Sequence, residues 1–181
     1  MELCARQLPL TTAPRYVVLS ACASLFNLMW HAHRTSPFRQ AARVPWPHHE
    51  IGRQEISGAD KAELKRALHV FNCAQRGLGN YMENLPAFLV ALMIAGLRWP
   101  VESAIMGALW NFGRVLYAIG YTRNGPSNKL SELIVEIMYR VGYTMPGAGN
   151  GMGRLLGSWA NIFQVVLMVM ATKVGWDMVA V

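Results

Sequence analysis

Apolar residues fall in long blocks along this chain, separated by polar stretches. Blocks of this kind predict membrane helices rather than the strict alternation of half-buried strands. Tyr16 to His33 is the first, about as short as a spanning helix can be. Asn27 is its one strongly polar interruption before the terminal histidines, and it is expected to pack between helices. Arg34 to Arg66 is polar, and Pro37, Pro45 and Pro47 predict breaks that stop a continuous helix early in it. Ser57 followed by Asp60 resembles a capping box, with Asp in the place of the usual Glu. The run ADKAELKRALHVF then opens a helix expected to continue to Leu97. At roughly 40 residues and about 60 Å it exceeds a bilayer core, so its first turns stand in water. Gly77 and Gly79 weaken it locally, either for close helix packing or to make room for a ligand. Pro86 is placed to kink it.

Arg98, Trp99 and Pro100 form a short turn, which makes the flanking helices antiparallel neighbours. Val101 to Tyr121 is the third span. Thr122 to Gly153 is a long connection holding GPSNK (Gly125 to Lys129), an amphipathic piece (LSELIVEIMYRVGY) and the loop MPGAGNGMG. Leu155 to Val174 is the fourth span, with Trp99 and Trp176 placed as interfacial anchors. The expectation is one all-α domain, residues 1–181: a four-helix transmembrane bundle with spans at about 16–33, 68–97, 101–121 and 155–174. Met1 to Pro14 does not read as a cleaved signal, because no small-x-small site closes the apolar segment after it.

Composition supports this reading. Apolar residues make up 53% of the 181, above the usual globular share, and charged residues only 15%, well below it. The net charge of +7 would suit nucleic acid, but the basic residues lie between the apolar blocks and no nucleic-acid motif accompanies them. Arg34, Arg39, Arg43, Arg53, Lys61, Lys65 and Arg66 lie between the first two spans, and Arg123, Lys129, Arg140 and Arg154 between the last two. Only Arg6, Arg15, Arg98 and Lys173 lie on the other side, which puts both long loops in the cytosol. Cys4, Cys22 and Cys73 give neither a disulfide framework nor a metal site.

The two remaining basic residues, Arg76 and Arg114, fall inside the apolar blocks, where an ionisable group is costly unless it pairs or binds. Arg76, Asn80 and Glu83 recur at i, i+4 and i+7 and share one helix face. Arg114, Tyr117 and Tyr121 make a second such stripe. A cation, an amide and a carboxylate opposite a cation and two phenols suit a zwitterionic ligand with carboxylates, an amine, amide bonds and a thiol. Glutathione has all of these. In the competing arrangement, Arg76 pairs with Glu83 and Arg114 with Glu102 or with backbone, across two and three helical turns respectively.

FNCAQRGLGNYMENLP (residues 71–86) and GRVLYAIGYTRNGPSNK (residues 113–129), in that order, resemble the membrane-associated proteins in eicosanoid and glutathione metabolism. They are closest to that family's type-3 microsomal glutathione S-transferase branch. The likeness covers roughly Ala13 to Leu130 and resumes near Arg154 to Trp176. It implies a homotrimer with glutathione bound between subunits, in the endoplasmic reticulum or nuclear envelope. Carried over by position, it makes Arg39, Gln75, Arg76, Asn80, Glu83, Tyr117 and Tyr121 glutathione ligands. Arg114, Lys129 and Tyr121 become the groups that hold the thiolate.

The activity implied is glutathione transfer, with glutathione peroxidase activity, on a lipophilic electrophile or lipid hydroperoxide arriving from the membrane lipid. Glutathione is the co-substrate, and no metal and no nucleic acid is involved. Two departures stand out. Gln40 occupies a position that is often basic in relatives, against a leukotriene-type role. Residues 131–150 are surplus, either a lineage insertion or an unspliced segment. The competing readings are a non-catalytic lipid-binding scaffold of the same family, and a structural membrane protein whose polar groups only join helices.

Overall fold

The computed structural model describes residues 12–58, 61–122 and 155–180, together with Leu133, Glu136, Ile137 and Arg140. The described residues are helical with loops and no strand. Lys129, most of 131–150 and Asp60 lie outside them. In chain order the helices are α1 (Thr12–Ala42), α2 (Arg53–Gly58), α3 (Ala62–Gly96), α4 (Pro100–Tyr121), α5 (Leu155–Ser158) and α6 (Asn161–Val179).

The first helix overturns one expectation. Pro37 lies inside α1, which continues nine residues past His33. A proline within a helix removes one amide donor and leaves the chain helical when packing holds it, and Phe38, the next residue, is 1% exposed. The helix ends instead at Arg43, whose φ of 53° is left-handed. Arg43 donates to the Gln40 carbonyl at 3.1 Å and Val44 to that of Arg39 at 3.2 Å. These are the paired bonds of a Schellman C-cap, made here without glycine. Of the expected capping box, Asp60 lies outside the described residues and Ser57 does not cap α3. Ser57 sits within α2 and its hydroxyl donates to the Gln54 carbonyl at 2.8 Å, while Lys61 is the N-cap of α3 and makes no side-chain cap bond.

Helix α3 runs 35 residues, about 52 Å at helical rise, with Pro86 inside it. It turns back through Leu97–Trp99 into α4, whose first residue is Pro100, a position where the missing amide donor costs nothing. Helices α1, α3, α4 and α6 pack around a core in which Phe88 stacks on Trp110 at 3.8 Å between centroids. A second cluster around Phe38, Val44, Leu68 and Phe71 ties the end of α1 to α3.

Polar groups are buried among this apolar core, and large apolar side chains also face out. Asn27 Nδ2 donates to the Asn111 carbonyl and Oδ1 at 3.1 and 3.2 Å, so Asn27 does pack between helices. Tyr81 donates to the Ser24 carbonyl at 2.6 Å, and Trp110 Nε1 to Gln164 Oε1 at 3.1 Å. Leu19, Phe26, Met29, Val90, Ile105, Ile162 and Val169 are among the large apolar residues left exposed on four different helices. Water would penalise so continuous an apolar surface, and lipid does not. Among the described residues, α3 and α6 are long and apolar enough to cross a bilayer by length and composition. Helices α1 and α4 miss that mark; they carry Asn27, His31 and Arg34, and Glu102, Asn111 and Arg114, respectively.

Candidate functional site

The stripes on α3 and α4 face each other. Arg114 is 1% exposed. Its Nη2 donates to both the backbone carbonyl and Oδ1 of Asn80, each at 2.7 Å, and its Nη1 donates to Asn161 Oδ1 at 3.3 Å. The guanidinium also lies 5.3–5.7 Å from the ring centroids of Trp110, Tyr117 and Tyr81. Neutral oxygens and aromatic faces therefore surround this cation, and no carboxylate pairs with it among the described residues. Such donors disperse the charge without adding a second buried ion to desolvate. Glu102 plays no part in this arrangement.

Farther along the same seam, Arg76 lies beside Tyr121, and its Nε lies 3.5 Å from Glu50 Oε1. Its partner is a loop acid rather than Glu83. The Tyr117 and Tyr121 rings meet edge to face at 5.6 Å between centroids. Gly77 lies under this pair: a Cβ there would fall 4.0 Å from the Tyr121 ring, ordinary contact distance. A closer approach occurs between α4 and α5. A Cβ on Gly157 would overlap the Gly113 carbonyl and the Tyr117 amide nitrogen, and one on Gly113 would overlap Ala160. Only glycine allows these backbones to meet, and the meeting fixes the height of Tyr117.

Arg76, Asn80, Arg114, Tyr117 and Tyr121 are thus brought together along the α3–α4 seam. Gln75 is half-buried beside Arg76. Glu83 is exposed and makes no ion pair among the described residues. Arg39 is 6% exposed at the end of α1, 4.0 Å from the Trp46 ring centroid, with Nη1 donating to the Pro45 carbonyl at 3.2 Å.

Several participants escape sequence reasoning. Asn161 reaches Arg114, and Gln164 reaches the Asn84 carbonyl at 3.4 Å as well as Trp110. Their i, i+3 spacing in an otherwise apolar helix was the available signal. Arg34 is a third buried arginine, donating to the Ala118 carbonyl at 3.0 Å and to the Thr122 hydroxyl. Glu50 had no signal, because it reaches Arg76 from a loop 26 positions away.

A helical bundle with an apolar exterior and an arginine–tyrosine–asparagine seam inside is the construction of a membrane protein with a buried polar site. The MAPEG family model matches residues 17–135, and the chain belongs to that family. Its members use glutathione and include transferases and peroxidases as well as synthases.

Proposed function

We propose that the protein is an integral-membrane glutathione S-transferase with glutathione-dependent peroxidase activity, of the type-3 microsomal kind, working as a homotrimer in the endoplasmic reticulum or nuclear envelope. The observation that carries this reading is the convergence of Arg76 with Tyr121 and of Asn80 with Arg114 across one helix seam, in a chain of this family. Arg76 presents a fork to a glutathione carboxylate. Glu83, exposed on α3 in a stretch bounded by Met82 and Pro86, takes the ligand's ammonium where a neighbouring subunit closes over it. Arg39 and Gln75 complete the tripeptide's contacts. Lys129, or the hydroxyl of Tyr117 or Tyr121, stabilises the thiolate. A nearby cation or donor favours the charged form of a thiol.

Arg114 takes a different part from that of a direct ligand. With both terminal nitrogens bonded to Asn80 and Asn161, it orients Asn80 and stands 5.3 Å from the ring centroid of Tyr117. Its charge thus acts on the thiolate from behind these two side chains. The thiolate attacks an electrophilic carbon of a lipophilic substrate, displacing its leaving group or opening its strained ring, and a thioether forms. With a lipid hydroperoxide it attacks the terminal peroxide oxygen, releasing the alcohol after protonation. A second glutathione then converts the sulfenic product to disulfide and water. The protein contributes orientation, a dry setting and a lowered thiol pKa.

The test is purified protein in detergent titrated with glutathione, followed by thiolate absorbance, electrophile conjugation and lipid hydroperoxide reduction. Arg76→Gln is expected to weaken glutathione about 10- to 100-fold, the worth of a charge-assisted bond. Absence of any glutathione binding by the wild-type protein would sink the reading. Binding without turnover on any electrophile or hydroperoxide would leave the lipid-binding scaffold in its place.

A further inference from the structure

The segment Arg43–Gly52, which follows α1, is fastened to α3 by the Phe71–Asn72 pair of the sequence motif, a part of that motif the proposed site does not use. Asn72 Oδ1 accepts from the Ile51 amide at 2.9 Å, and its Nδ2 donates to the Ile51 carbonyl at 2.7 Å. A side-chain amide that engages both backbone groups of one residue holds it much as a paired strand would. Phe71, next to Asn72, lies 4.9 Å from the guanidinium of Arg39, which Trp46 of the same segment covers. Arg76 is one helical turn beyond Asn72 on the same face of α3. Clasping Ile51 at Asn72 therefore sets Glu50 above Arg76, where its Oε1 comes within 3.5 Å of Nε. One segment thus engages both arginines of the proposed tripeptide site, one with an indole and the other with a carboxylate.

We infer that Glu50 is an affinity-setting residue: it occupies the place on Arg76 that a carboxylate of the ligand takes, so glutathione binds by displacing an internal competitor. The inference rests on the glutathione reading above and adds to it a residue from outside the helical stripes. The geometry fits a placeholder rather than a permanent structural pair. The two side chains are 66% and 54% exposed, so water and salt already compete for them. Tyr121 lies beside Arg76 on the α4 side and offers the guanidinium a second neighbour while its carboxylate partner changes. Asn72 supplies the anchoring that a surface ion pair of this kind lacks on its own.

Equilibrium binding of glutathione to the full chain in detergent tests this, with wild type compared with Glu50→Gln, Asn72→Ala and Glu63→Gln. Glu50→Gln is expected to tighten glutathione by about two- to fivefold, the ceiling for an exposed ion pair. Asn72→Ala, which releases the segment without changing any charge, is expected to shift affinity in the same direction. Glu63→Gln removes an exposed acid from the first turn of α3 and is expected to leave affinity unchanged. Unaltered or weaker binding in Glu50→Gln overturns the inference, as does equal tightening by Glu63→Gln, which would make the effect one of net charge. If wild type and all variants fail to bind glutathione, the functional reading itself fails. Unaltered thermal unfolding midpoints confirm that the variants are folded.

Discussion

Arg114 and Asn80 satisfy each other: one guanidinium nitrogen donates to both the main-chain and side-chain oxygens of the asparagine, at 2.7 Å each. The polar stripes of α3 and α4 are therefore joined within the chain before any ligand arrives. Lysine has no fork with which to reproduce this. Arg114→Lys is expected to lower stability by about 1.5–3 kcal/mol, the range for hydrogen bonds to a charged group. It is also expected to weaken glutathione binding through a misplaced Asn80. Thermal unfolding in detergent and a glutathione titration on the same samples check both. If Arg114→Ala leaves thiolate formation intact, the electrostatic role given to this residue is wrong.

The Asn27–Asn111 contact calls for a double-mutant cycle. Asn111 also donates to the Gly107 carbonyl at 3.0 Å, so it is engaged on more than one side. Asn27→Leu alone strands a buried partner and is expected to cost about 1–3 kcal/mol. Combining it with Asn111→Leu is expected to cost less than the sum of the single changes, because the second removes the group left unpaired by the first. Strict additivity would show that the bond contributes little.

Glycines at the two ends of the seam should respond oppositely. Gly157→Ala pushes a methyl group into Gly113 and the backbone of Tyr117, where no flexible side chain can give way. A loss of about 3 kcal/mol or more is expected, at or above the upper range for overpacking. Nothing lies within 4 Å of a Cβ on Gly79, so Gly79→Ala is expected to stabilise the chain by roughly 0.5–1 kcal/mol. Unfolding midpoints of the two variants in parallel decide the matter. A destabilised Gly79→Ala would show that this face is covered in the assembled protein.

Arg43 holds a left-handed conformation that glycine adopts freely. Arg43→Gly is expected to raise stability by about 1 kcal/mol, since the helix-ending bonds from residues 43 and 44 are made by backbone and survive the change. A lower unfolding midpoint would mean that the Arg43 side chain contributes more than its backbone conformation costs.

The helical architecture and the identity of the seam were legible because both rest on periodicity. Arg76 with Asn80, and Arg114 with Tyr117 and Tyr121, are spaced to share a face, and an ionisable group in an apolar block demands a partner. Pairing was less legible than placement. Arg76 had a carboxylate seven residues away in Glu83, yet the structure gives it one from a loop, because long-range contacts leave no local spacing. Helix ends were legible least. Pro37 is a strong local breaker that tertiary packing overrides, whereas Arg43, with no breaking tendency of its own, ends the helix by adopting a backbone conformation. At Ser57 the residue type was right for a cap, but the hydroxyl turns back to Gln54 within a short helix of its own.

The polar burden of α1 and α4 also bears on how the chain enters a membrane. Helices α3 and α6 have the length and composition of bilayer-crossing helices, and α1 and α4 fall below that mark. Asn27 and Asn111 hide each other's polar groups only once their helices have met. Helix α4 is tied to α3 by a three-residue turn, which gives it an immediate apolar companion. Helix α1, synthesised first, has none. The groups that Asn27 and Asn111 hide therefore stay open until α4 has been made and has met α1.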